Sequence, residues 1–430
     1  MNAPTIAVIG GGFSGTMVAY HLLRQPGGPR RVVLIERQPP AGRGVAYGTP
    51  HEQHLLNVPA GRMGADPGDP DGFLRFLGDA QPGDFVPRRR YGEYLAALLA
   101  DARRPETWPE GSDLEVWADD AIGLTPGREV VLAHRPPLAA DAVVLALGHF
   151  PPAHPLVLPP DRPYVGDPWS ARALAPAGEV LLVGAGLTAI DLALALGDAR
   201  VHFLSRSGRL PRPHGQATPV DLGELPTTTA LALLTAVRGH LQDKDWRAVF
   251  DALRPRTQAL WSALPAAERQ RLIRHARSFW EPHRHRLAPQ VASQVEQRLA
   301  SGQWQVHAGR LADLQADGTA TIRPRGGGEP YDLHVNRVVN CAGPEGDARR
   351  LNDPLVVELL ARGLAKPDLI GLLTDAAGAL VGRDGRASTW LYTLGPLRKG
   401  QLWETTAVPE LRVQALELAR TLLDLPHGAG

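Results

Sequence analysis

The stretch TIAVIGGGFSG, residues Thr5 to Gly15, decides the fold of this chain. A short apolar run breaks into three glycines, and the pattern of a helix follows, so the stretch predicts a buried strand, a tight turn and a helix. Gly10, Gly12 and Gly15 form the pattern G-x-G-x-x-G. The first glycine permits the turn, the second lets the backbone approach a pyrophosphate, and the third lets the helix pack on the strand.

The next strand, VVLIE, ends in Glu36, 21 residues after Gly15. A carboxylate at this position can accept hydrogen bonds from ribose hydroxyls, while the unpaired N–H groups of the helix N-terminus face the phosphates. The ordered set of strand, glycines, helix, strand and acid predicts a dinucleotide site, which we assign to FAD. Its predicted contacts are Gly10, Gly12, Phe13, Ser14, Gly15, Glu36 and Arg37.

The same arrangement recurs in the middle of the chain, where EVLLVGAG precedes a helical pattern. Aligning VHFLS with VVLIE puts Ser205 at the position of Glu36, with Arg206 next. Loss of the carboxylate removes repulsion of a 2′-phosphate, and an adjacent guanidinium can hold that phosphate. We therefore predict NADPH here. The predicted contacts are Gly184, Gly186, Leu187, Thr188, Ser205 and Arg206, with Ala189 at the third position of the pattern and Arg209 and Arg212 close behind.

Composition excludes several classes of function. The 430 residues are 43% hydrophobic and 21% charged with a formal net charge of +1, so neither nucleic acid nor an anionic membrane is an expected partner. The single cysteine, Cys341, excludes an internal disulfide and a Cys-x-x-Cys redox pair. The first strand starts too early for a secretion signal, and no apolar run approaches roughly 20 residues. We expect a cytoplasmic protein with a small-molecule substrate. The sequence does not specify an oligomeric state.

The order of patterns predicts an α/β fold with two Rossmann-like domains, the second inserted in the first. We expect residues 1–165 and 335–430 to form the FAD domain. Residues 166–334 would form the NADP domain and carry a helical insertion at about 225–300. A hairpin is expected over TATIRP and YDLHV, and a last helix over PELRVQALELARTLLDL.

Beyond the glycine patterns, an ordered set of motifs runs along nearly the whole chain. The chain resembles a bacterial family of FAD/NAD(P)-binding proteins related to the two-nucleotide flavin monooxygenases, among them a flavin-dependent urate hydroxylase and amino-acid N-oxygenases. The motifs are GGGFSG, GRGVAYGT (Gly42 to Thr49), HLLNVPAGRMG (His54 to Gly64), FVPRRRYGEYL (Phe85 to Leu95), LALGHFPP (Leu145 to Pro152), VGAGLTAIDLALAL (Val183 to Leu196), WEPHRHRLAP (Trp280 to Pro289), VVNCAGP (Val338 to Pro344) and GPLRKGQLWETTAVPELR (Gly395 to Arg412).

The resemblance implies further site residues. Asn57 would be the polar residue nearest the chemistry, close to the flavin ring, although an asparagine also orders its own turn. Thr405 and Thr406 would begin a helix aimed at the flavin, or serve as an ordinary helix cap. Arg43 and Gly44 would flank the FAD, Gly148 would allow close backbone approach, and Gly395 and Pro396 would meet the ribityl chain.

Two other features leave alternatives open. WEPHRHRLAP has two interpretations. It is a basic pocket wall for an acidic or carbonyl-bearing substrate, or its charged residues lie at a helix end and pair with neighbouring acids. His283 and His285 lack partner ligands at a spacing that suits a metal. Cys341 is expected to be a buried small residue.

A flavin and a nicotinamide in one chain indicate hydride transfer from NADPH to FAD, and the electron acceptor then defines the enzyme. Molecular oxygen is the leading acceptor because the chain has no dithiol, which predicts a monooxygenase acting on a small, polar, nitrogen-containing substrate. Two alternatives remain, a reductase or dehydrogenase with a non-oxygen acceptor, and a non-catalytic flavin-binding sensor.

Overall fold

The computed structural model describes residues 3–104 and 108–424. The chain divides into two compact units, each made of more than one segment. Unit 1 comprises Met1–Glu52, Val58–Phe150 and Gly346–Gly430, and unit 2 comprises Gln53–Asn57 and Pro151–Glu345.

Unit 1 is built on a six-stranded sheet in which all neighbours are parallel except the first pair. In spatial order its strands are β15 (Ala379–Val381), β16 (Ala387–Thr393), β7 (Ala142–Leu145), β1 (Thr5–Ile9), β2 (Arg31–Glu36) and β3 (Asp113–Ala118). A small antiparallel sheet contains β4 (Ala121–Leu124), β5 (Glu129–Leu132) and β6 (Leu138–Ala139). The helices are α1 (Phe13–Arg24), α2 (Gly44–Tyr47), α3 (Gly72–Leu77), α4 (Arg88–Ala102), α12 (Pro354–Ala361) and α13 (Val408–Leu423).

The central strands of unit 1 are apolar runs buried on both faces, as expected for a covered parallel sheet. Helix α1 is buried from Phe13 to Leu23 and packs against α13. This burial fixes the start of α1 directly beside the end of β1.

Unit 2 is built on a seven-stranded sheet whose first two strands form an antiparallel extension. In spatial order the strands are β13 (Tyr331–His334), β12 (Thr319–Pro324), β11 (Trp304–Leu314), β10 (Arg200–Ser205), β9 (Glu179–Val183), β14 (Arg337–Asn340) and β8 (Tyr164–Val165). The helices are α5 (Ala171–Leu174), α6 (Leu187–Ala195), α7 (Ala230–Asp243), α8 (Trp246–Leu253), α9 (Thr257–Ala263), α10 (Ala266–Arg284) and α11 (Pro289–Ala300).

The α/β class, the two parallel sheets and the helical insertion confirm the predicted fold class. Helices α7 to α11 occupy 230–300. The first four of them, α7 to α10, share an apolar core that includes Val249, Leu253 and Leu264. The predicted hairpin is present as β12 and β13.

The boundaries of the two units differ from those expected at 165 and 335. Strand β8 pairs with β14 and β14 pairs with β9, so 151–165 and 335–345 belong to unit 2. The short segment 53–57 also belongs to unit 2, because Gln53 donates to the Leu194 carbonyl and His54 bonds the Asp191 carbonyl at 2.9 Å. These are long-range pairings that local patterns do not encode.

Candidate dinucleotide-binding sites

The glycines of the first turn fall into two groups by what surrounds them. Gly10 has φ +101°, and a Cβ there would lie 2.4 Å from the Ala146 carbonyl oxygen. A Cβ on Gly15 would lie 1.9 Å from the Gly10 carbonyl oxygen. Both glycines are therefore required by protein packing. Gly12 is different, because its φ is −73° and the nearest atom to its Cβ position is the Gly44 Cα at 3.7 Å.

Gly12 precedes the first residue of α1, and no side chain caps this helix. The first turn of α1 also contains no acidic residue. Phe13 and Ser14 are buried there. Free N–H groups and the positive end of the helix dipole bind phosphate well. The missing side chain of Gly12 thus leaves a cradle in front of a helix terminus suited to a dinucleotide pyrophosphate.

Glu36 lies at the end of β2, beside the glycine turn. Its Oε2 accepts a hydrogen bond from the Gly11 amide at 2.7 Å, and its Oε1 accepts one from the Gln38 amide at 2.7 Å. Each carboxylate oxygen keeps a second lone pair for a ribose hydroxyl. The next residue, Arg37, instead forms an ion pair with Asp353 at 3.6 Å, so the structure directs its guanidinium to the start of α12.

The loop containing Arg43 and Gly44 packs backbone to backbone on the glycine turn. The Gly42 amide donates to the Gly11 carbonyl at 2.7 Å, and a Cβ on Gly44 would lie 3.0 Å from the Gly12 Cα. The Nε atom of Arg43 is buried with no hydrogen-bond partner among the described residues. The structure therefore brings Arg43 and Gly44 next to Gly12.

Gly148 and Gly395 follow the carboxyl ends of two neighbouring strands. β7 precedes Gly148 (φ +66°), and β16, parallel to β7, precedes Gly395 (φ +77°) and Pro396. β1 and β2 end at the same edge, with Gly10 and Glu36. The chain leaves β1 toward β2 on one side while β7 lies on the other, so this edge is a topological switch point, where dinucleotides bind in open α/β sheets.

Thr405 and Thr406 do not begin the last helix, which contradicts the expectation. Helix α13 starts at Val408, after Ala407. Thr405 is fully buried, and its hydroxyl donates to the Gly395 carbonyl at 3.1 Å and accepts from Gln414 Nε2 at 3.0 Å. The Gly395 amide donates to Gln414 Oε1 at 3.3 Å. Pro409 in the first turn explains the later start, since proline favours that position.

Gln414 is a residue that the sequence analysis missed. It holds the Gly395 amide and Thr405 at once, so both polar groups of the Gly395 peptide are fixed by side chains. The available signal was a polar residue one helical turn after the buried Leu411 and next to the buried Ala415, on the buried side of an amphipathic helix.

The second glycine turn repeats the geometry of the first in unit 2. Gly184 has φ +125°, and its Cβ position lies 2.0 Å from the Cys341 carbonyl oxygen, at the switch point between β9 and β14. Gly186 has φ −87° and no protein atom within 4 Å of its Cβ position. Helix α6 then begins with Leu187 and Thr188, without a side-chain cap or an acid in its first turn.

Ser205 and Arg206 lie at the carboxyl end of β10. The Ser205 hydroxyl accepts from the Gly208 amide at 3.0 Å. Arg206 is exposed and forms no ion pair within the described part of the chain. A free guanidinium beside a hydroxyl, in place of a carboxylate, suits a ribose 2′-phosphate.

Asn57 lies at the end of the segment that joins unit 2. Its backbone carbonyl accepts a hydrogen bond from His214 Nε2 at 2.9 Å. The role of its side chain at a flavin ring stays a prediction from the resemblance.

Cys341 is buried as expected, and burial raises the pKa of its thiol. Across 3–104 and 108–424, no group of three or more His, Cys, Asp or Glu side chains is arranged to hold a metal ion. None of the helices in those ranges combines the length and apolar character needed to cross a bilayer.

Two glycine turns at two sheet switch points define a two-dinucleotide-binding fold. Residues 7–150 match the model of the FAD-NAD(P)-binding family. A search of curated proteins finds no match.

Solved structures match over almost the full length. Ornithine hydroxylase from Pseudomonas aeruginosa is 16% identical with a TM-score of 0.63, and L-lysine 6-monooxygenase from Pseudomonas syringae is 15% identical with a TM-score of 0.66. Bacillithiol disulfide reductase from Staphylococcus aureus is 12% identical with a TM-score of 0.58. Each comparison covers 98% of this chain and 99% of the other. At these identities the likeness concerns the fold.

Proposed function

We propose that this protein is an FAD-dependent oxidoreductase that uses NADPH, and that it acts as a monooxygenase on a small, polar, nitrogen-containing substrate. The observation that carries the proposal is the pair Gly12 and Gly186. Protein packing does not require glycine at either position, since no protein atom lies closer than 3.7 Å to either Cβ position. A pyrophosphate bound at each helix terminus would explain why both positions are glycine, because a side chain there would meet the phosphates.

The assignment of the two cofactors follows from the residues beside each turn. In unit 1, Glu36 would accept from the ribose of FAD, with Arg43 and Gly44 alongside. In unit 2, Ser205 and Arg206 would hold the 2′-phosphate of NADPH. The family match over 7–150 supports FAD in unit 1.

FAD, when bound, would take two electrons from NADPH and pass them to oxygen, with one oxygen atom entering the substrate and the other leaving as water. The residues of this chain would bind the two cofactors and orient them. The first-turn N–H groups of α1 and α6 would neutralise the phosphates, and the Thr405–Gln414 pair would fix the Gly395 peptide. An ornithine hydroxylase and a lysine monooxygenase are among the similar folds, and both amino acids carry a side-chain amine, which supports a nitrogen-containing substrate.

A reductase with a non-oxygen acceptor is the second candidate, favoured by the similarity to bacillithiol disulfide reductase. The chain has one cysteine, so an internal dithiol cannot be the acceptor. The acceptor would have to be a separate molecule.

The test measures NADPH oxidation by the FAD-loaded protein with oxygen alone, with oxygen plus a panel of amines, amino acids and purines, and anaerobically with ferricyanide or a quinone. A monooxygenase consumes one oxygen per NADPH and forms hydroxylated product with a panel member. A reductase turns over rapidly only with the external acceptors. Failure to bind FAD, even after its addition in excess, would refute both candidates.

A further inference from the structure

Unit 2 contains a cavity of about 280 Å³, here called the α11 cavity. Segment 209–213, after β10, forms one side, and Pro282, His283 and Leu287 form another. The third is a face of α11 whose members recur at a spacing of three and four residues: Ala292, Val295, Glu296 and Leu299. Gly184, Gly186, Leu187, Thr188, Ser205 and Arg206 do not line it. Arg209 and Arg212, which follow Arg206 in the sequence, do line it, and we treat it as a site separate from the second glycine turn.

Two of the three walls of the α11 cavity, segment 209–213 and the segment from Pro282 to Leu287, are joined by backbone hydrogen bonds. The Arg212 amide donates to the Pro282 carbonyl at 2.8 Å, and the Leu287 amide donates to the Arg212 carbonyl at 2.9 Å. The His214 amide donates to the Leu287 carbonyl at 2.9 Å. The cavity therefore does not depend on side-chain rotamers for its two main walls, and it is largely preformed, as ligand pockets usually are.

Two cations of this cavity have no carboxylate partner in the described chain. Arg209 and Arg212 are exposed and form no ion pair there, although the Arg209 guanidinium lies 5.5 Å from the centre of the Phe279 ring. Nearby Arg286, by contrast, pairs with Asp251 at 2.9 Å. The acid of the cavity, Glu296, is exposed on α11 and also forms no ion pair with a described residue.

His283 adds a hydrogen-bond acceptor. It is 6% exposed, and its Nδ1 lies 2.7 Å from the Phe279 carbonyl oxygen, so Nδ1 carries the proton and donates it. Burial lowers the pKa of His283, and the charges of Arg212 and Arg209 lower it further. The imidazole is thus neutral at pH 7, and its Nε2 is left as an acceptor.

We propose that the α11 cavity binds a small monocarboxylate with an apolar body and a hydrogen-bond donor at its other end. The carboxylate accepts hydrogen bonds from Arg209 and Arg212, the strongest type of neutralising contact that arginine makes. The body packs on apolar walls such as Leu210 and Val295, and the donor faces His283 Nε2 or Glu296. The volume limits the ligand to about the size of a single substituted ring. This site is independent of both proposed cofactors.

The test is calorimetric titration of the FAD-loaded full chain with three probes of the same shape. 4-Aminobenzoate has the charge and the donor, benzoate lacks the donor, and 4-aminobenzamide lacks the charge. We expect 4-aminobenzoate to bind best and the amide at least about tenfold more weakly, since about 1.4 kcal/mol corresponds to tenfold in affinity. Arg209→Gln and Arg212→Gln should each weaken 4-aminobenzoate about tenfold.

Arg200→Gln is the matched control, because Arg200 is exposed at the opposite end of β10. It should leave the affinity for 4-aminobenzoate unchanged. Equal affinities for the acid and the amide, no binding of any probe to the wild-type protein, or displacement of 4-aminobenzoate by NADP⁺ would each overturn the proposal. None of these results depends on whether the protein is a monooxygenase.

Discussion

Arg206 is exposed, follows the Ser205 hydroxyl at the end of β10, and pairs with no carboxylate of the described chain. If it holds a 2′-phosphate, Arg206→Gln should raise KM for NADPH by about 10- to 100-fold, because a charge-assisted hydrogen bond contributes about 1.5–3 kcal/mol. KM for NADH should change little. Steady-state kinetics with both cofactors is the measurement.

Arg200→Gln again serves as the control for a lost surface charge, and it should affect neither KM. An equal rise of both Michaelis constants in Arg206→Gln would contradict selectivity for the phosphate.

His21 is a buried base on α1 whose protonation should limit stability in acid. It is 1% exposed, its Nε2 has no hydrogen-bond partner among the described residues, and burial lowers its pKa from 6.5 to about 4. Asp66 acts in the opposite direction, whereas Arg420 lowers this pKa further. The folded protein therefore keeps His21 neutral where the unfolded chain already binds a proton.

The sign of the pH effect follows from that difference. Above pH 6.5 His21 is neutral in both states, and between 6.5 and about 4 each step toward acid favours the unfolded state. The loss by pH 4 is about 3 kcal/mol. We expect His21→Leu to remove this part of the acid sensitivity, measured as the free energy of unfolding in urea from pH 7 to 4.

His275→Leu changes an exposed histidine on α10. In this control the free energy of unfolding should fall with decreasing pH as steeply as in the wild-type protein. A His21→Leu protein with the same slope as wild type would show that His21 is protonated in the folded state.

At the scale of the element, each strand–turn–helix unit contains glycines that packing requires and one glycine, Gly12 or Gly186, whose Cβ position is open. Gly184→Ala introduces a side chain at φ +125° and 2.0 Å from a carbonyl oxygen, so we expect a loss of at least about 1–3 kcal/mol in stability. Gly186→Ala meets no protein atom within 4 Å and should cost less than about 1 kcal/mol. Its NADP⁺ affinity should nevertheless fall at least about tenfold.

Denaturant unfolding and calorimetric titration of the two variants distinguish these effects. In unit 1, Gly10→Ala corresponds to Gly184→Ala and should lose stability. Gly12→Ala corresponds to Gly186→Ala and should lose affinity for FAD. Unchanged NADP⁺ binding in a folded Gly186→Ala protein would contradict the assignment of α6 to a pyrophosphate.

At the scale of the whole molecule, each unit has its own apolar core and the chain passes between the units at four points. Segment 53–57 is hydrogen-bonded to α6, whose N-terminus is the proposed NADPH site. We therefore expect NADP⁺ to slow hydrogen exchange in 184–188 and also in 53–57. Exchange over 58–62, which belongs to unit 1, should not change. Mass spectrometry of the exchanged protein measures all three segments.

FAD provides the internal control, because it should protect 10–15 and 42–44 and not 53–57. Protection of 53–57 by FAD alone would show that this segment responds to unit 1 instead.

The sequence by itself determined the two glycine turns, their helices and the acid-to-serine change between them. These features are local, because a turn with φ above zero and a helix start depend on residues adjacent in the chain. Only the tertiary structure assigned 53–57, 151–165 and 335–345 to unit 2, since strand pairing across long separations leaves no periodic signal. WEPHRHRLAP, which supplies Pro282, His283 and Leu287 to the α11 cavity, was one candidate for a pocket wall, but the sequence did not indicate the walls opposite it. The same reason explains this and the missed Gln414: each depends on segments brought together by folding, and a sequence pattern carries no record of which distant segment lies opposite.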